Sequence, residues 1–179
     1  MRILVVGGSG SGKSAVAERL ACKLSNTRTY FATMRSDGTE ARARIARHRA
    51  QREDMGFVTL ERPQSLLPLA PSRESARGVA LVDDLGNLAA NALFCPDGTM
   101  RDHKTVLEQL TQELDALARS YAHVVVVGNE VGSEGAPYHD ATLTWIRLQG
   151  ALCCHAASTF DTVIEVVAGI PSVVKGELP

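Results

Sequence analysis

The stretch Gly7-Gly8-Ser9-Gly10-Ser11-Gly12-Lys13-Ser14 decides how the rest of this 179-residue chain is read. Before it stands Ile3-Leu4-Val5-Val6, a continuous apolar run of the kind a strand buried on both faces requires. After it, Val16, Leu20 and Leu24 mark one face of a helix over about Lys13–Leu24. A strand, a G-x-x-x-x-G-K-[ST] turn and a helix in that order form a phosphate-binding loop. Its glycines let successive N–H groups turn inward on phosphate oxygens, and the helix N-terminus adds partial positive charge. Lys13 is then the mobile cation for the β- and γ-phosphates, and the Ser14 hydroxyl a ligand for Mg²⁺.

Working outward, short β-branched runs alternate with longer helical segments. Thr29–Thr33, Phe57–Leu60, Val79–Val82, Val124–Val127 and Val163–Val167 read as further strands, the last of them closing the chain. Helices are expected over about Thr39–Glu53, from Leu85 to about Phe94, over Asp102–Tyr121 and over Asp140–Ser158. Pro63, Pro68 and Pro71 break the intervening segment into a loop or isolated turns. The alternation predicts a single α/β domain over residues 1–179, P-loop NTPase-like, its mostly parallel central sheet covered by helices on both faces. Asp83 and Asp84 fall at the carboxyl end of a strand, where such folds place the carboxylate that holds Mg²⁺. One of the two also suits the N-cap of the helix that follows, and the roles divide naturally between them.

Composition excludes several classes. A hydrophobic fraction of 45% rules out wholesale disorder. A formal charge of −1 and 4% aromatic residues argue against a nucleic-acid surface. No stretch reaches the roughly 20 apolar residues of a membrane span, and the opening apolar run is too short for a signal peptide. Cys22, Cys95, Cys153 and Cys154 form no CxxC, so reduced thiols in a cytoplasmic protein are expected and a zinc site is not. His103, His123, His139 and His155 read as structural, and Trp145 as a core or interface anchor.

The near-neutral total hides a segregated chain, since five arginines and no acid lie between Arg42 and Arg52. On a helix, Arg44, His48 and Arg52 share a stripe at i, i+4 and i+8. Flanking guanidinium groups disfavour imidazolium and keep His48 in its nucleophilic form, while Arg44, Arg49 and Arg52 could hold phosphates. By spacing alone, a solvated arginine-rich helix with an incidental histidine is the favoured account of the pattern.

Taken in order, Gly7–Ser14, Tyr30-Phe31-Ala32-Thr33, Arg44-Ile45-Ala46-Arg47-His48 with Arg52, Thr59-Leu60-Glu61, Leu81-Val82-Asp83 with Asn91, and Asn129-Glu130-Val131-Gly132 span nearly the whole chain. The series resembles the bifunctional adenosylcobinamide kinase/adenosylcobinamide-phosphate guanylyltransferase family of cobalamin biosynthesis. The resemblance implies phosphorylation of a corrinoid hydroxyl by GTP or ATP, then transfer of GMP from GTP through His48 to the new phosphate. It places the nucleotide on Gly7, Gly8, Ser9, Gly10, Ser11, Gly12, Lys13 and Ser14. To these it adds Thr33-Met34-Arg35, the residues just beyond His48, Glu61 and Asp83. Mg²⁺ falls on Ser14 and Asp83, and a homotrimer is implied.

The carboxyl-terminal third departs from the family's Val-Pro and R-D-x-x-G-x-x-N elements. Here Pro137 and Gly150 fit, whereas Ile146, Arg147 and Cys153 stand where that pattern has Arg, Asp and Asn. Two rival readings stay open on sequence: a P-loop kinase for another small hydroxyl substrate, and a nucleotide-binding regulatory module without turnover.

Overall fold

The chain was analysed as a computed structural model that describes residues 1–36, 38–69, 71–132 and 137–179, with only the backbone of 40, 41, 44 and 51. Seven strands form one sheet: β1 (Arg2–Val6), β2 (Arg28–Ala32), β3 (Phe57–Glu61), β4 (Val79–Asp83), β5 (His123–Val127), β6 (Thr162–Val167) and β7 (Ile170–Lys175). Their order across the sheet is β3-β2-β4-β5-β1-β6-β7. The first six run parallel, and β7 pairs antiparallel with β6. All parallel strands therefore end on the same edge, where an open α/β sheet binds its ligand.

The apolar runs fill both faces of the sheet. Ile3, Val5, Leu81, Val125 and Ile164 meet α1 (Lys13–Leu24) through Val16, Ala17, Leu20 and Ala21. Their alternate neighbours Leu4, Val82, Val124 and Val126 pack against α4 (Leu85–Leu93), α5 (His103–Ser120) and α6 (Asp140–Thr159). Among the described residues, none of helix α2 (Thr39–Gln51) or of the one-turn 3₁₀ segment Glu53–Met55 belongs to either cluster; α2 crosses from the carboxyl end of β2 back to the amino end of β3. A short helix α3 (Arg73–Ala76), capped by the Ser72 hydroxyl, interrupts the proline-rich segment.

One expectation needs correction. The chain does not close at Val167: Ala168 (φ 50°) and Gly169 (φ 80°) turn it into β7, which is exposed along its length. Positive φ at both central residues is the geometry of a tight hairpin whose twist matches its strands. Pro171 is tolerated because an edge strand has one row of N–H groups without ladder partners. Elsewhere the elements read from the sequence keep their type, α1 with its expected bounds and others shifted by one to a few residues, while α3 is an addition.

Candidate nucleotide and transfer site

The phosphate loop is shaped by two glycines whose neighbours leave no alternative. A Cβ on Gly7 would lie 2.5 Å from the Val166 carbonyl oxygen. Gly12 takes φ +88° at the N-cap of α1, and a Cβ there would sit 3.3 Å from Gly169 Cα. The β6–β7 hairpin thus backs the loop, and Gly169 N–H donates to the Ser11 carbonyl at 2.8 Å. Lys13 is buried, with Nζ donating to the Gly8 carbonyl at 3.0 Å across the loop.

The end of β4 supplies the opposing charge. Ser14 Oγ donates to Asp83 Oδ1 at 3.2 Å, and the Tyr30 hydroxyl donates to Asp83 Oδ2 at 2.8 Å. Asp84 turns the other way and caps α4, accepting from Asn87 N at 2.7 Å and Asn87 Nδ2 at 3.1 Å. Asp84 thus takes the N-cap role expected of one of the two aspartates, and both line the cavity described below. Desolvation pushes the Asp83 carboxyl above its ordinary range, and Asp84 adds to this; hydrogen bonds from Tyr30 and Ser14 and the charge of His48 oppose it. Burial likewise raises the Tyr30 hydroxyl, with Asp83 beside it.

Thr33 does not face the ligand space. Its side chain is fully buried, and its hydroxyl accepts from Asp84 N at 2.7 Å and lies 2.9 Å from both the Asp83 and Asp84 carbonyl oxygens. Its role is to fix the turn between β4 and α4. Asn91 Nδ2 holds the Thr33 carbonyl at 2.8 Å from the other side.

These elements enclose a cavity of about 420 Å³. Its lining includes Gly8, Ser9, Gly10, Lys13, Ser14 and Asp83, then His48, Arg49, Arg52 and Glu61 from the region of α2 and β3, and Met34, Asp84, Asn87, Glu130 and Trp145. His48 therefore lines the same cavity as the phosphate loop. Arg49 pairs with Glu61, joining α2 to the end of β3 at the rim. Arg52 borders the space, yet its guanidinium is spent elsewhere, 3.6 Å from the Tyr30 ring centroid and 3.4 Å from Glu18 Oε1. The stripe of arginines is thus not a uniform phosphate clamp. The Arg44 side chain lies outside the described residues, and Arg35 is not among those lining the cavity.

Among the described residues, no three His, Cys, Asp or Glu side chains gather to hold a metal on their own. The pair Ser14 Oγ and Asp83 offers hard oxygen donors beside the phosphate loop. That suits Mg²⁺, which takes one or two carboxylates, keeps waters and completes its shell with phosphate oxygens.

Sequence reading missed Glu18, Asn87 and the position of Trp145. Glu18 carried a signal, an acid inside the apolar stripe Val16-Ala17-Leu20-Ala21. Trp145 is an anchor, as expected, with Nε1 donating to the Gly86 carbonyl at 2.9 Å, and it also forms cavity wall. Cys153 packs under Gly128, and burial pushes its thiol up to about 12. His155 pairs with Asp115 at 2.8 Å, between α5 and α6.

The sequence profile of the cobinamide kinase / cobinamide phosphate guanyltransferase family matches residues 3–174. The chain belongs to this family. The bifunctional adenosylcobalamin biosynthesis protein CobP of Pseudomonas aeruginosa is 34% identical to this member over 177 residues, covering 99% of each chain. Its counterpart CobU of Escherichia coli is 31% identical, covering 98% of this chain and 100% of its own. In fold alone, the family member matches a type III secretion system ATPase of pathogenic bacteria with a TM-score of 0.53. That match has 12% identity and covers 96% of this chain and 56% of the other.

Proposed function

We propose that this cobinamide kinase and cobinamide phosphate guanyltransferase runs its guanylyl transfer in the cavity described, with His48 as the nucleophile. The observation that carries the reading is that His48 lines the same cavity as Lys13, Ser14 and Asp83. In the first half of the transfer, an imidazole nitrogen attacks the α-phosphorus of GTP. An N–P bond forms, the bond from that phosphorus to the bridging oxygen of the β-phosphate breaks, and pyrophosphate leaves. In the second half, a phosphate oxygen of adenosylcobinamide phosphate attacks the same phosphorus and the N–P bond breaks. The products are GMP joined to the acceptor's phosphate through a P–O–P phosphoanhydride bond, and free imidazole.

The chain's groups divide the work. Loop N–H groups and Lys13 hold phosphate oxygens, the part of catalysis that rests on preorganised charge. Arg49 and Glu61 set the rim beside His48. Ser14 and Asp83 would hold Mg²⁺, which neutralises charge on the phosphates and the leaving group. Phosphorylation of the cobinamide hydroxyl uses the same loop with the γ-phosphate. We place Gly7–Ser14, Met34, Arg49, Glu61 and Asp83 at the nucleotide, and Thr33 and Arg52 behind it. The reading extends to a cytoplasmic homo-oligomer, a trimer by resemblance to the family.

Incubation with α-labelled GTP and Mg²⁺ should give an acid-labile GMP adduct that forms on the native chain and is lost in His48→Ala. An adduct of equal yield in His48→Ala would place the nucleophile elsewhere. Label from the γ-position appearing on cobinamide without any protein adduct would leave a simple kinase.

A further inference from the structure

Beneath the cavity lies an ion pair that neither half-reaction accounts for. Glu18 is 5% exposed and Arg52 is 6% exposed. Glu18 sits on α1, five positions after Lys13, and is absent from the cavity lining. Arg52 is the C-cap of α2. Among the described residues from 38 to 56, Arg52 is the one that is buried; Ile45, His48 and Met55 are half-buried and the others exposed. The helix carrying His48 is thus anchored at its C-terminal end by a charge. A second hold follows it, where Arg28 Nη1 donates to the Met55 carbonyl at 2.6 Å.

The anchor is oriented. The Arg52 guanidinium stacks 3.6 Å from the Tyr30 ring centroid and meets Glu18 Oε1 at 3.4 Å. Phe57 meets the Tyr30 ring in an edge-on contact at 5.9 Å between centroids. The Tyr30 hydroxyl in turn donates to Asp83, which also accepts from Ser14. Contact therefore runs from the end of α2 to the phosphate-loop helix and to the carboxylate at its mouth. A buried ion pair is a poor source of net stability, since desolvation offsets the attraction. What a planar guanidinium between a ring face and a carboxylate supplies is orientation. His48 stands one turn earlier on the same stripe, at i−4.

We propose that Arg52, seated on Tyr30 and Glu18, is a positioning residue for guanylyl transfer: it fixes the rotation and height of α2 so that His48 faces the phosphate loop. The inference rests on the reading of His48 as nucleophile, and it assigns Arg52 to the helix seat and not to a phosphate.

The test uses the full chain carrying Glu18→Gln, which keeps volume and an acceptor oxygen, and Arg52→Lys, which keeps charge and loses the planar fork. Single-turnover labelling with α-labelled GTP is run beside γ-phosphate transfer to adenosylcobinamide and amide hydrogen exchange. In Glu18→Gln, adduct formation should slow by about tenfold to a hundredfold, the range that small displacements of reacting groups produce. The GTP concentration for half-maximal rate should hold within about threefold, and γ-phosphate transfer should persist. Amides of residues 46–55 should exchange faster while the sheet is unchanged.

A raised half-saturating GTP concentration at unchanged maximal rate overturns the proposal, because that marks a phosphate clamp. Parallel loss of both half-reactions with a lowered melting temperature overturns it as a general loss of stability. Unchanged labelling and exchange overturn it outright. Should Arg52→Lys not fold, Glu18→Gln decides alone. A native chain without adduct refutes the nucleophile reading itself, and exchange at residues 46–55 then decides whether the seat exists.

Discussion

Asp83 is the residue at which stability and function pull apart. Its carboxyl is pushed above its ordinary range chiefly by desolvation. Such a group binds more protons folded than unfolded between the two pKa values, so stability falls as pH rises through that window. The contribution is fully present below the unfolded value, near 3.9, and gone above the raised folded value. Asp83→Asn should remove this slope: in urea unfolding without nucleotide, the variant gains on the native chain as pH rises and the gain then levels off. The same variant should lose transfer activity, the exchange expected when a strained site group is relaxed. A pH-independent stability difference would contradict this account. Lys13 and Ser14 were legible in sequence because the loop motif fixes both their neighbours and their chemistry. Arg52 was not fully legible. Spacing put it on the His48 stripe, but whether a long side chain turns toward ligand or core depends on Glu18 and Tyr30, distant in sequence.

Among the elements, α5 shows how a single side chain can secure a loop. Glu113 is 3% exposed and accepts from Ser65 Oγ at 2.8 Å, Leu66 N at 2.7 Å and Gln109 Nε2 at 2.8 Å. It pins the proline-rich segment to the helix and seats Leu66, fully buried, in the core. Glu113→Ala should cost about 2–3 kcal/mol, because it strands a buried N–H that had a charged acceptor. Chemical denaturation checks the value, and a change within error would show that water replaces the carboxylate. Strands β1, β4 and β5 could be read from their apolar runs, and α1 from Lys13 to Leu24 without error. β7 could not, since Ile170-Pro171-Ser172-Val173-Val174-Lys175 contains a proline and has no buried residue to give it a face. The Ser72 cap and the four-residue α3 were likewise too short to produce a period.

In the whole molecule, the site is assembled from segments far apart in sequence, from Gly8 to Trp145. Nucleotide binding should therefore stabilise the entire domain cooperatively. Bound ligand at a hundred times its dissociation constant adds about 2.7 kcal/mol. A thermal scan with GTP and Mg²⁺ should show a single transition moved upward, and an unmoved transition would speak against the cavity. The sheet also leaves one apolar border open: Val167, Ile170 and Val174 are 60%, 68% and 65% exposed. An open edge of that character invites strand pairing with another chain. In light scattering the native chain, of 19.1 kDa, is expected as a trimer, and Ile170→Lys with Val174→Lys as a smaller species. A monomeric native chain would remove the oligomer from the proposal.

The hairpin that backs the phosphate loop carries a practical consequence. Gly169 leaves little room for a side chain on Gly12 and holds the Ser11 carbonyl, so the last strand acts as a brace on the first turn of the site. A variant cut after Val167 would keep every residue of the cavity wall and yet release the loop's outer support. On the proposed reading of the loop, affinity for triphosphate depends partly on the tail, and a fusion partner placed there is expected to perturb it.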